Sequence, residues 1–350
     1  MSTIILTGGG TAGHCTPHLA ILPYLKKRFD NIYYIGSKNG IERNIISQTE
    51  IPYHPVSCAK LRRNLSLKNV KIPFSVLKGV LESGKILDKL KPDVIFSKGG
   101  YVAIPVVIAA KKRKIPVITH ESDFTIGLAN KISAKFSSKT LTSFPETAKT
   151  IKNGEYVGSP LRDIIINNKK NSEVKKFGFT SQKPIILVTG GSQGAKVINQ
   201  TLRSALDDLL PKYNVIHICG KGNLSTDVTS KGYYQTEYMN DIENAFSIAS
   251  VCVSRAGSNT VFELMALKLP CVLIPLPKGV SRGDQILNAQ YFQRLGLANV
   301  LLQDVLTKDS LIAAINSAYS NRYNLKRSFE KYPIDNANKK IAEILSSYAK

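Results

Sequence analysis

Short runs of aliphatic and β-branched residues alternate along this chain with longer stretches whose apolar positions recur at helical spacing. The runs cover residues 4–7, 32–35, 94–96, 117–119, 140–142, 185–189, 215–219, 251–254 and 271–274. Amphipathic stretches lie between them at 18–28, 72–90, 196–210 and 260–267. Strand, helix and strand with glycine at the junctions predict doubly wound parallel sheets, hence an α/β chain. Ile4-Ile5-Leu6-Thr7-Gly8-Gly9-Gly10 is echoed by Ile186-Leu187-Val188-Thr189-Gly190-Gly191-Ser192, with Thr7 and Thr189 182 residues apart. The simplest source is two Rossmann-like domains in tandem, 1–160 and 161–335. Their boundary falls near Gly158-Ser159-Pro160, where glycine and proline interrupt the pattern. The segment 336–350 reads as a helix that can pack back across the first domain.

Composition agrees with two domains and adds one oddity. The chain has 350 residues, 43% of them hydrophobic, enough for a core in each half. That excludes a disordered basic tail. The oddity is charge: 48 Lys and Arg against 25 Asp and Glu give +23. Residues 1–160 hold 24 of the basic and 10 of the acidic residues, a net of +14. Such a balance suits a polyanionic partner: nucleic acid, an anionic membrane or a phosphate-rich substrate. Met1 runs almost at once into a strand, with no secretory signal. The longest apolar stretch, 101–110, contains Pro105 and is far short of the roughly 20 residues that span a bilayer. Five scattered cysteines without a C-x-x-C suggest reduced thiols, not a zinc site or a disulfide framework.

Candidate chemistry sits at the glycine-rich junctions. Gly8 to Gly13 fits G-x-G-x-x-G after a strand, where backbone amides at a helix start favour anions. A dinucleotide enzyme should carry an acid at the end of the next strand. Here that strand ends Tyr34-Ile35-Gly36-Ser37, which argues against NAD(P). His14, in the first helical turn, suits a neutral base beside an anion. Gly190 to Gly194 is a second phosphate-cradle candidate. Ser254 to Thr260 is a third, with Glu263 on the same helix face as Thr260, placed for a ribose diol or for a capping box. Asp284, Gln285 and Asn288 form a polar turn able to read sugar hydroxyls. His120-Glu121-Ser122-Asp123 ends a strand at the edge that faces ligands in doubly wound sheets. No D-x-D or paired-His motif suggests a metal, so phosphate charge falls to backbone amides and cations such as Arg162.

In order along residues 4 to 300, these motifs together with Lys98-Gly99-Gly100-Tyr101 and Gly158-Ser159-Pro160-Leu161-Arg162 closely resemble the MurG family of bacterial N-acetylglucosaminyltransferases, of glycosyltransferase family 28. The resemblance implies a GT-B fold, two Rossmann-like domains facing across a cleft. It implies that the second domain binds UDP-GlcNAc and the first binds the lipid-linked acceptor. Ser192, Gln193 and Arg162 would meet the pyrophosphate with the turn Ser258, Asn259 and Thr260. Glu263 would hold the ribose, the backbone near Met239 the uracil, and Asp284 and Gln285 the sugar. Thr11, Ala12, Gly13 and His14 would face the reacting sugar from the first domain. Some members have glycine at Ala12 and asparagine at Asp123. An ionised Asp123 cannot donate a hydrogen bond as that amide does, so it is carried over as a candidate base. The tract 278–282 is longer than in some relatives.

The implied reaction is inverting transfer of GlcNAc to the 4-hydroxyl of the muramyl sugar of lipid I, giving lipid II, with no cofactor. His14 is the first candidate base, Asp123 and Glu121 the next. Alternatives are the same fold with another lipid acceptor such as diacylglycerol, or an isomerase of UDP-GlcNAc. A nucleic-acid binder is disfavoured, because the basic clusters flank apolar segments and not stacking aromatics. The apolar residues of 72–81, beside Lys60, Arg62, Arg63, Lys68 and Lys71, suit peripheral docking on the anionic cytoplasmic face of the cell membrane. The run 101–110, ending in Lys111 to Lys114, fits a core helix with a cationic end better.

Overall fold

The computed structural model describes residues 1–59, 72–166, 174–180, 182–191, 193–334 and 336–349. Lys60, Arg62, Arg63, Lys68, Lys71 and Ser192 lie outside the described residues. The chain forms two compact units, Met1–Arg162 with Asp335–Lys350, and Asp163–Ile334.

The first unit is built on seven parallel strands: β1 (Thr3–Gly8), β2 (Asn31–Ser37), β3 (Tyr53–Val56), β4 (Val94–Gly99), β5 (Val117–Glu121), β6 (Lys139–Thr142) and β7 (Gly154–Tyr156), in the order β3-β2-β1-β4-β5-β6-β7. The second has six: β8 (Ile185–Thr189), β9 (Asn214–Ile218), β10 (Tyr233–Thr236), β11 (Val251–Ser254), β12 (Cys271–Leu273) and β13 (Asn299–Val300), in the order β10-β9-β8-β11-β12-β13. The order reverses between β1 and β4, and again between β8 and β11. Each reversal opens a crevice at the carboxyl ends of its strands, where ligands bind in such sheets.

Every residue of β1, β4, β5, β8, β9 and β11 is buried, which explains why aliphatic runs marked them. The elements that the pattern missed are the outer strands. β3, β7, β10 and β13 are two to four residues long and mostly half-exposed. Pro55 sits in β3, which tolerates it because edge strands need fewer ladder bonds. The stretch 196–210 is not one helix. Lys196–Ser204 ends and Leu206–Leu209 restarts across Ala205. The helix expected at 18–28 runs Thr16–Leu25, begun by Pro17 in its first turn.

The apolar run after Tyr101 forms the helix Ala103–Lys112, with Val106, Val107, Ala109 and Ala110 buried and Lys111 and Lys112 in its last turn. The helix Ile72–Leu90 behaves differently. Its Gly79, Val80, Ser83, Gly84 and Leu87 pack inward. Phe74, Leu77 and Leu81 remain 73%, 56% and 62% exposed. No helix of the described residues is long and apolar enough to cross a membrane.

The helix Asn338–Ser346 completes the first unit. Ile341, Ala342 and Leu345 share a core with Ile21 and Leu25. The Asn338 amide donates to the carbonyls of Ala20 (3.1 Å) and Leu161 (2.6 Å).

Candidate active site

β1 delivers the chain into Gly8-Gly9-Gly10, a 3₁₀ turn Ala12–His14 and the helix Thr16–Leu25. Glycine is needed at Gly10, where φ is +87° and a Cβ would meet the Tyr101 ring at 2.6 Å. A buried carboxylate, Glu42, braces this loop. It accepts from the Gly10 amide (3.1 Å), the Ser37 amide (3.1 Å) and the Ser37 hydroxyl. Thr11 and Gly13 are exposed; Ala12 and His14 are half-buried. His14 Nδ1 lies 3.0 Å from the Lys98 carbonyl. A carbonyl only accepts, so Nδ1 carries a proton.

The ends of β4 and β5 form the other wall. Gly99 and Gly100 both have positive φ, and a Cβ on Gly100 would lie 2.1 Å from the Gly9 carbonyl oxygen. The loops after β1 and β4 therefore touch through backbone. The Lys98 side chain is buried and its Nζ lies 2.6 Å from His120 Nδ1 and 2.7 Å from Ser122 Oγ. Burial pushes the Lys98 ammonium down to about 7, while the carboxylates of Glu121 and Asp123 pull it back up. His120 Nε2 faces the Gly158 carbonyl at 3.1 Å, so this ring is neutral with its proton on Nε2. Burial and then the Lys98 charge hold its pKa well below the usual imidazole value.

Glu121 is buried and already engaged. It accepts from the amides of Asp123 (2.9 Å) and Gly127 (2.9 Å) and from the Asn130 side chain (2.9 Å). Its carboxylate organises the loop that carries half-buried Asp123. Among the described residues no cluster of three or more His, Cys, Asp or Glu could hold a metal.

In the second unit, β8 runs into a turn in which Gly190 and Gly194 are packed and Gly191 is not. A Cβ on Gly190 would lie 2.3 Å from the Ala195 nitrogen, and one on Gly194 2.0 Å from the Cys219 oxygen. Gly191, with φ of +87°, has nothing within 4 Å of that position. Gln193 beside it is exposed. β11 leads into the helix Ser258–Ala266. Its N-cap is Gly257, in extended conformation and without a side-chain cap, so the capping-box reading does not hold. Space above Gly257 is also open. Asn259, Thr260 and Glu263 are half-buried on this helix, and Ser258 is buried.

Gly283 to Asn288, expected as a polar turn, is the start of the helix Asp284–Arg294, entered through Gly283 at φ +85°. Gln285 Oε1 accepts from the Leu276 amide at 3.1 Å, which leaves its Nε2 amino group to donate. Asn288 is buried and donates to the Ala256 carbonyl at 3.2 Å, tying this helix to the turn before Ser258. Asp284 pairs with Arg282 at 3.3 Å. The Arg255 guanidinium clamps the carbonyls of Ile274 (3.1 Å) and Pro275 (3.3 Å) and the Gln303 side chain (2.7 Å), steadying the segment that holds Gln285. Met239 is half-buried in the loop after β10, and Arg162 closes the first unit just beyond Gly158-Ser159-Pro160.

The sequence residues therefore fall into two groups, each at the carboxyl edge of one sheet. Thr11 to His14 and Glu121 to Asp123 share the first edge; Gln193, Ser258 to Glu263 and Asp284 and Gln285 belong to the second. Glu42, Lys98 and Arg255 were not singled out. Glu42 and Lys98 act on residues 32 and 84 positions away, a distance at which no local motif marks them.

Comparison with known proteins agrees over the whole chain. Residues 4–142 match the glycosyltransferase family 28 N-terminal domain and residues 185–345 its C-terminal domain. A Clostridium botulinum protein named UDP-N-acetylglucosamine–N-acetylmuramyl-(pentapeptide) pyrophosphoryl-undecaprenol N-acetylglucosamine transferase is 48% identical over 354 residues, covering 100% of both chains. A Bacillus thuringiensis protein of the same name, numbered 2, is 48% identical over 336 residues, covering 95% of this chain and 96% of its own. The crystal structure of Acinetobacter baumannii MurG superposes with a TM-score of 0.78 at 23% identity, over 99% of this chain and 100% of that one. The chain belongs to glycosyltransferase family 28 and is a glycosyltransferase with the two parallel-sheet domains of the GT-B fold.

Proposed function

We propose that this enzyme transfers N-acetylglucosamine from UDP-GlcNAc to the 4-hydroxyl of the muramyl sugar of undecaprenyl-diphosphate-linked N-acetylmuramyl-pentapeptide, lipid I, and so makes lipid II. The observation that carries the chemistry is the bond from His14 Nδ1–H to the Lys98 carbonyl. It leaves Nε2 as a base. Nε2 takes the proton of the acceptor hydroxyl as the oxygen attacks the anomeric carbon. The bond to UDP breaks on the opposite face, which inverts the configuration. Negative charge grows on the leaving diphosphate as positive charge grows on the sugar.

The second unit answers the leaving-group charge. The uncapped start of the helix at Ser258, Asn259 and Thr260 directs backbone amides at the diphosphate. Gln193, after β8, adds a polar contact, and Ser192 and Arg162 are carried over from the family resemblance as further ligands of the diphosphate. Glu263 takes the ribose hydroxyls, the main chain at Met239 the uracil, and the Gln285 amino group a hydroxyl of the sugar. Asp284 orients the helix start through Arg282. Glu121 serves by shaping its loop, since all three of its hydrogen bonds are internal. Asp123, on that loop, is the second candidate for the proton.

Membrane contact follows from the acceptor. Phe74, Leu77 and Leu81 form one exposed stripe at helical spacing, with Lys78 and Lys85 beside it. An apolar stripe flanked by cations suits peripheral docking on the anionic cytoplasmic face that carries the lipid acceptor. The test is transfer of labelled GlcNAc to lipid I against diacylglycerol as competing acceptor. Product on lipid I alone supports the reading, and product on diacylglycerol alone rejects it.

A further inference from the structure

Lysine is among the residues least often buried, because its charge is expensive to desolvate. Lys98 is nonetheless enclosed, and both ends of the residue are engaged at the first glycine edge. Its carbonyl holds His14 at 3.0 Å. Its Nζ bridges His120 at 2.6 Å and Ser122 at 2.7 Å. His120 passes the connection to the Gly158 carbonyl at 3.1 Å. A residue serving only to fill a core would use an apolar side chain and need none of these partners. We propose that Lys98 is a positioning residue of the transfer reaction, fixing the base His14 through its carbonyl while its ammonium locks that backbone to the end of β5. The proposal rests on His14 being the base.

Around the ammonium lie His18 from the first helix, His120 and Glu121 from β5, and Asp123 from the loop after it. Its field lowers the pKa of His18 and of His120.

The test is Lys98→Met, which keeps the carbonyl and the chain length but removes the ammonium. The expected result is a fall in kcat of about fivefold or more, with the KM for UDP-GlcNAc within about twofold. A kcat within about twofold of wild type, or a fall in kcat matched by an equal rise in that KM, overturns the proposal. Should Lys98→Met fail to fold, His120→Leu and His120→Gln decide. Gln can accept from Lys98 and donate to Gly158, so it should recover most of the kcat lost with Leu, and equal losses overturn the proposal. His14→Ala separates the two ideas: if it keeps full kcat, the base assignment fails, whereas a loss there with a wild-type kcat in Lys98→Met rejects the role of Lys98 alone.

Discussion

The Nδ1–H of His14 points at the carbonyl of Lys98, 3.0 Å away, and this bond fixes a proton on that ring nitrogen. The loop bearing His14 is fixed from the other side by Glu42, through the Gly10 amide at 3.1 Å. The proposed base is thus held by a main-chain contact, with supporting side chains one layer further in.

Glu42 should matter for stability first. Replacing it with Ala strands the half-buried Gly10 amide and the buried amide and hydroxyl of Ser37. The expected loss is about 2–4 kcal/mol in urea unfolding of the full chain, with kcat falling as the loop relaxes. A loss below about 0.5 kcal/mol would show that water replaces the carboxylate without cost.

Glu263 and Gln285 should act on donor binding. Glu263→Ala removes acceptors for the ribose diol, and Gln285→Ala removes one donor to the sugar. Each should raise the KM for UDP-GlcNAc by about tenfold, with kcat changed less. UDP affinity measured by calorimetry separates them: Glu263→Ala should weaken UDP itself, while Gln285→Ala should not.

Acid should destabilise both units. His18 in the first and His217 in the second are pushed down to about 3, chiefly by burial. His217 is held neutral between Tyr233 and Asn199 at 2.7 and 3.0 Å. With folded pKa values below the unfolded one, the unfolded chain binds more protons as pH falls below about 6.5. The contribution of these two histidines should therefore be constant above that pH and drop below it, by about 2 kcal/mol per histidine at pH 5. Urea unfolding at pH 7.5 and pH 5 measures this, and equal midpoints would contradict it.

The stripe of Phe74, Leu77 and Leu81 should govern membrane contact. Changing all three to Ser removes apolar surface worth about 1.5 kcal/mol or more per side chain. Partition onto anionic vesicles should fall at least about tenfold, while UDP binding stays as it was. Unaltered vesicle partition would place the docking surface elsewhere.

Much of this was legible from residue order because glycine and short aliphatic runs act locally. Gly10, Gly191 and Gly283 each have a positive φ, and Gly10 and Gly191 marked the turns after β1 and β8. The central strands stand out because both of their faces are covered. The edge strands do not: Tyr233–Thr236 is half-exposed throughout and carries no aliphatic run. The supporting groups were hidden for a different reason. Lys98 lay in plain view within a glycine motif, but its partners His120 and Ser122 come from the neighbouring strand and the loop after it. Likewise, only the fold brings Leu276 to Gln285 and reveals which end of that amide is already bonded.

The central claim is that His14 Nε2 is the base of GlcNAc transfer to lipid I. The direct measurement is single-turnover transfer of labelled GlcNAc to a soluble lipid I analogue by wild type and by His14→Ala, each first shown to bind UDP equally. The account predicts a fall of about a hundredfold or more in the transfer rate, in the range typical of losing a general base. A rate within about threefold of wild type would contradict it.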